Sequence, residues 1–93
     1  MERSLQEKID KAARVLREAG ASEVYIFGSV AEGRSTPDSD IDLAVSGLPQ
    51  EAFFEAVGTI AMDVTENFDL VDIDDTNPFT EIIRKKGRLI RVA

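Results

Sequence analysis

Asp40 and Asp42 stand one residue apart in the stretch Ser39-Asp40-Ile41-Asp42-Leu43, ten residues after the pair Gly28-Ser29. In a strand, alternate side chains share a face, so Asp40, Asp42 and Ala44 would point one way and Ile41, Leu43 and Val45 the other. Two carboxylates one such step apart, with about 6 to 7 Å between their α-carbons, can converge on one or two hard cations such as Mg²⁺, which prefer oxygen ligands. Without a cation they repel. Asp38 and Asp40 can also be read as the end of a polar loop, where aspartate is common. Asp42 resists that reading because it lies inside the apolar run Ile-Asp-Leu-Ala-Val, where an unpaired ion costs several kcal/mol to bury.

A second acid-bearing apolar run, Phe68-Asp69-Leu70-Val71-Asp72-Ile73, follows. Asp69 shares a face with Val71 and Ile73, and Asp72 with Phe68, Leu70 and Asp74. Were this run to lie beside residues 41–45, one of Asp69 or Asp72 would complete a three-carboxylate site of the kind that holds two metals about 3.5 to 4 Å apart. Asp72, Asp74 and Asp75 can equally form the solvent side of a sheet edge. Gly28-Ser29 ends another β-prone run; glycine lets backbone approach a phosphate, and clustered N–H groups bind anions. Taken alone it can also be a tight turn.

Two competing motifs fail on geometry. Residues 28–35 read G-x-x-x-x-G-R-S, but Arg34 stands where a P-loop needs lysine, and a strand rather than a helix is expected soon after. Asp38-x-Asp40-x-Asp42 starts like a calcium loop, yet Leu43 and Pro49 occupy the glycine and glutamate positions. There is no histidine and no cysteine, which excludes a histidine-based triad, a disulfide and a thiolate metal site.

These residues need a scaffold, and 93 residues with 43% hydrophobic content suit one domain, residues 1–93, with a modest core. The net charge of -7 opposes unassisted binding to a nucleic-acid backbone or an anionic membrane. A metal ion or a basic protein suits it better. No N-terminal apolar run resembles a signal peptide or a membrane span, so a cytoplasmic location is expected.

Leu5, Ile9, Ala12, Leu16 and Ala19 recur at helical spacing, with Ser4 and Glu7 as a capping box and Gly20 as the stop. Val24 to Phe27 and residues 41–45 read as strands. Pro49 opens a helix whose face carries Phe53, Val57, Ile60 and Ala61. Residues 68–73 form a third strand. Asn77-Pro78 starts a helix with Phe79, Ile82 and Ile83, with basic Arg84 to Lys86 near its negative end and Gly87 beyond. Residues 88–92 form an edge strand. The order α-β-β-α-β-α-β predicts an α/β (α+β) fold with a mixed sheet of about four strands and helices packed against it. Phe53, Phe54 and Phe79 are expected in the core, except that Phe53 and Phe54 cannot both face inward on one helix, so one of them marks an interface.

Gly28-Ser29, ten residues, Asp40-x-Asp42, and a later strand carboxylate resemble the signature of the minimal nucleotidyltransferases of the DNA polymerase β superfamily, and the resemblance runs along the whole chain. It implies that fold and transfer of a nucleoside monophosphate from an NTP, with ATP as substrate. Asp40 and Asp42 would hold two Mg²⁺ ions, and Asp69 would bind one of them and orient or deprotonate the acceptor hydroxyl. Gly28, Ser29, Arg34 and Ser39 would contact the nucleotide. Many members carry a basic residue where this chain has Glu32, which would weaken NTP binding unless Arg34 or a partner compensates. Small members resemble antitoxins of type VII-like toxin–antitoxin modules, paired with a HEPN-domain toxin. By that analogy the chain transfers AMP to a tyrosine of its partner in a hetero-oligomer, or assembles with itself. The alternative is a non-catalytic antitoxin that neutralises by complex formation alone.

Overall fold

The computed structural model describes residues 3–34 and 40–93, the Lys86 side chain excepted. Asp38 and Ser39, singled out above, lie outside the described residues. The chain builds α1 (Arg3–Ala19), β1 (Glu23–Phe27), α2 (Gly28–Ala31), β2 (Ile41–Ser46), α3 (Gln50–Asp63), β3 (Phe68–Asp72), α4 (Pro78–Lys86) and β4 (Ile90–Arg91). The four strands form one mixed sheet in the order β3-β2-β1-β4. β1 pairs antiparallel with β2 and β4, and β2 pairs parallel with β3. The parallel pair requires a crossover, and α3 provides it.

Alternation along β2 divides the sheet's two faces. Ile41, Leu43 and Val45 are fully buried against Leu5, Ile9 and Leu16 of α1 and Ala56 and Ile60 of α3. Ala44, on the opposite face, is equally buried with Phe27, Ile73 and Ile83 of α4. β2 is therefore covered on both sides, which explains why its sequence is apolar almost throughout. Burying each large aliphatic side chain of this core contributes roughly 1.5–3 kcal/mol, so β2 is held from both faces.

Helix ends follow local chemistry. The amide of Ala21 donates to the Leu16 carbonyl (3.0 Å) and that of Gly20 to Arg17 (3.1 Å), with Gly20 at φ +119°; this pair of bonds closes α1 around a left-handed glycine. The described part of α1 starts at Arg3 and has Ser4 in its first turn. Asn77 caps α4: its side chain accepts from the Thr80 amide, Thr80 reciprocates on the Asn77 amide, and Pro78 occupies the first turn.

Three expectations need correction. A four-residue helical turn, α2, stands between β1 and β2, too short to leave any periodicity in the sequence. The inward face of α3 centres on Ala56 and Ile60 with Ala52 and Phe53 beside them, while Val57 and Ala61 are half-exposed. Phe79 is not core: it is 54% exposed, as is Ile82 at 57%, because α4 turns Thr80 and Ile83 inward instead. A buried threonine is tolerated there since its hydroxyl donates to the Asp75 carbonyl at 2.6 Å. Phe54 is 73% exposed and Phe53 half-buried, so of the adjacent phenylalanines it is Phe54 that leaves the core.

Candidate active site

Strand pairing brings two of the singled-out aspartates side by side. Asp42 of β2 is the register partner of Asp69 in parallel β3, and of Phe27 in antiparallel β1. Paired residues on neighbouring strands project from the same face, so both carboxylates rise from the face that carries Ala44. Asp40, exposed just before β2, lies one strand step from Asp42. Asp72 pairs instead with Val45 and lies towards the other end of β3.

Gly28 follows directly on Phe27 and takes φ +69°. A β-carbon built on it would sit 2.2 Å from Oδ2 of Asp42. No other residue type fits without displacing that carboxylate, so the glycine read above as a place for close backbone approach is first pressed against Asp42. Gly28 and Ser29 are the first two residues of the α2 turn. The segment then curls back: the amide of Glu32 donates to the Gly28 carbonyl (3.1 Å), Gly33 to Val30 (3.3 Å) and Arg34 to Ser29 (2.9 Å). The first amides of a helical turn have no acceptor within it, and here they start beside the carboxylates.

The electrostatics are those of acid set against acid. Burial raises the Asp42 carboxyl above the ordinary aspartate range, and the charges of Asp69 and Asp40 and a hydrogen bond with Asp69 push it further the same way. The fold by itself therefore disfavours the charged form of Asp42. A cation between Asp42 and Asp69 would reverse the preference, because it favours the charged form. An all-carboxylate donor set matches hard Mg²⁺, and Gly28, lacking a β-carbon, lets the Asp42 carboxylate keep its place beside the α2 turn. Among the described residues no three carboxyl groups already form a closed metal cage. The residues fit the ion as its ligands, two of them in register and the third, Asp40, exposed and able to turn.

Arg34 is not free. Its guanidinium pairs with Glu32, both side chains being well exposed. Such a pair is worth about 0–1 kcal/mol and is readily given up to a stronger anion. Sequence reasoning did not find the α2 turn that aims Gly28-Ser29, nor the pressure of Gly28 on Asp42. The positive φ could be read only as a tendency of glycine.

Residues 7–92 match the family model described as polymerase beta, nucleotidyltransferase. Among solved structures, a chain of a toxin–antitoxin complex with AMP-PNP is 28% identical at a TM-score of 0.59, over 89% of this chain and 69% of that one. A chain from the MntA–HepT toxin–antitoxin complex is 25% identical at a TM-score of 0.56, over 90% and 69%. The complex of a tri-AMPylated Shewanella oneidensis HEPN toxin with its MNT antitoxin has the same fold, with 24% identity, a TM-score of 0.62 and the same coverage, 90% and 69%. No curated protein matches the chain.

Proposed function

Since the chain belongs to the polymerase β nucleotidyltransferase family, we propose that it transfers AMP from ATP to a hydroxyl of a partner protein, as the antitoxin of a two-component module. The observation that carries this reading is the in-register pair Asp42 and Asp69 with Gly28 held against Asp42. Support for the partner comes from the toxin–antitoxin complexes whose chains this one resembles, one of them solved with AMP-PNP. On this reading the partner is a HEPN-domain toxin and the acceptor one of its tyrosines. Cytoplasmic residence fits a chain without cysteine, and no helix among the described residues is long and apolar enough to cross a membrane.

In the transfer, the acceptor oxygen bonds to the α-phosphorus, the bond from that phosphorus to the bridging oxygen breaks, and pyrophosphate leaves with the electron pair. Asp40, Asp42 and Asp69 would hold Mg²⁺, which supplies charge neutralisation of the triphosphate and acidifies the acceptor hydroxyl. Asp69, at the outer strand, orients that hydroxyl and accepts its proton. Asp42, half-buried on β2 between β1 and β3, fixes the position of the whole set. The amides at Gly28 and Ser29 and the serine hydroxyl hold phosphate oxygens, while Arg34, released from Glu32, pairs with the leaving pyrophosphate. Such a reaction demands positioning and charge compensation more than covalent help.

Intact mass spectrometry of the chain with Mg²⁺, ATP and whatever protein its neighbouring gene encodes tests this. A gain of AMP on the partner, lost with Asp42→Asn, is expected. Mg²⁺ with ATP at 100 times the dissociation constant should also stabilise the fold by about 2.7 kcal/mol. The Glu32–Arg34 pair favours a second reading, a masking antitoxin without chemistry, since it occupies the loop's cation. Neutralisation that survives Asp42→Asn, with no mass change on the wild-type partner, selects that reading.

A further inference from the structure

A groove of about 540 Å³ crosses the free edge of β3 between the first turns of α3 and α4. Its apolar wall is Phe53, Phe54, Val71 and Phe79, and its rim carries Asp72, Asp74 and Asp75. Phe54 and Phe79 are more than half exposed, although each could have been a polar residue at no cost to the core. Asp74 is occupied by the Gly47 amide, the Ser46 hydroxyl and, at 4.0 Å, by Arg84. Arg84 in turn donates to the Ile73 carbonyl. Asp72 accepts from the Asp74 amide through one oxygen, and Asp75 is exposed. The rim therefore has negative charge to spare beside exposed aromatic faces.

We propose that this groove docks a basic segment of the partner protein, an arginine or lysine next to an apolar residue. The inference rests on the protein-acceptor reading above. A guanidinium fits twice, stacking on Phe54 or Phe79 and pairing with Asp72 or Asp75, while the apolar neighbour fills the space against Phe53 and Val71. The acidic rim repels a nucleotide triphosphate, so the groove does not compete for ATP. Its position suits a tether. Asp69 and Asp72 are three residues apart on one strand, about 10 Å, so a segment anchored here leaves the carboxylate end of the sheet uncovered and holds its own chain within reach of it.

The test measures the affinity of two short fluorescent peptides, one alternating leucine and arginine and one with glutamate for every arginine, for the full chain and for variants. The arginine peptide should bind, the glutamate peptide should not, and Phe54→Ser with Phe79→Ser should weaken binding at least about tenfold at unchanged net charge. Asp75→Asn should weaken it and Glu55→Gln, on the far side of α3, should not. Equal losses at Asp75 and Glu55 with none at the phenylalanines would overturn the proposal, since attraction would then be general charge. So would a self-association of the chain that the phenylalanine variants abolish, which would make the groove a contact between copies. A second arm uses the protein that the neighbouring gene encodes. Adenylylation with an affinity indifferent to Phe54 and Phe79 sinks the docking inference and leaves the function standing. Absence of adenylylation together with groove-dependent binding of the peptide does the reverse.

Discussion

The two ends of β3 handle aspartate in opposite ways. At its start Asp69 meets Asp42 with acid facing acid, and burial together with the neighbouring charges raises the Asp42 carboxyl. Just past its end, Asp74 accepts from the Gly47 amide at 2.7 Å and the Ser46 hydroxyl at 2.9 Å, and those two donors, with Arg84, hold its carboxyl below the ordinary range. One acid has been given donors by the fold and ties the β2 end to the turn before α4. The other, among the described residues, meets further acids instead. The contrast teaches how to separate a structural carboxylate from one kept for a ligand: the chain satisfies the first itself and leaves the second to something it binds.

Asp42→Asn separates the two roles most sharply. Transfer should fall about a thousandfold or more, since a ligand to the neutralising ion is lost and each 1.4 kcal/mol or so is tenfold in rate. The same substitution should raise the melting temperature of the metal-free chain, because it removes a charge the fold disfavours. The pH dependence has a definite sign. A carboxyl raised in the folded state contributes stability that is fully present below the ordinary aspartate value and is lost as pH climbs through the raised folded value. Wild type should therefore lose stability relative to Asp42→Asn across that window in thermal melts without Mg²⁺. A variant less stable than wild type at neutral pH would mean that Asp42 is satisfied in a way this site does not show.

Gly28→Ala attacks the same end without touching a carboxylate. Alanine at φ +69° costs about 1–2 kcal/mol, and its β-carbon would displace Oδ2 of Asp42. A misplacement of about 1 Å can cost 100-fold in rate, so transfer should fall by about that factor in a chain that still folds by circular dichroism. Full activity would show that the carboxylate has room to move.

At the other end, Asp74→Asn should leave transfer intact and cost stability, about 1 kcal/mol once two charge-assisted hydrogen bonds are discounted for exposure. The sign is opposite to that of Asp42: the stabilisation is present above the ordinary aspartate value and is lost as pH falls through the lowered folded value. Acid melts of wild type and variant should converge there. If they stay parallel, the clasp does not depend on the charge of Asp74.

Local chemistry made much of this legible. The alternation of residues 41–45 put Asp42 opposite the core face, Asn77-Pro78 marked the start of α4, and Gly20 marked the end of α1. The partner of Asp42 was narrowed only to Asp69 or Asp72, because a parallel pairing has its register set by how α3 packs, not by a turn. The outward position of Phe79 was not readable, since Thr80 replaced it inside by bonding locally to the Asp75 carbonyl and the cap. Nor was the groove, which needs α3, β3 and α4 together. Its trace in the sequence was the Phe53-Phe54 pair, one of which had to face outwards.

The smallest effect expected lies beside the carboxylate end, at Glu32. Its pair with Arg34 is exposed on both sides, so breaking it should change folding stability by a few tenths of a kcal/mol at most. ATP binding is a better reporter. Glu32→Gln removes a negative charge from the loop that leads out of the Gly28-Ser29 turn and frees Arg34 for the triphosphate, so ATP should bind about two- to fivefold more tightly, on the order of 0.5–1 kcal/mol. Arg34→Ala should cancel that gain in the double variant, measured by calorimetry with a non-hydrolysable ATP analogue. If Glu32→Gln and Arg34→Ala each leave the affinity unchanged, the loop does not reach the phosphates, and anion binding at this end belongs to the Gly28-Ser29 backbone and the metal alone.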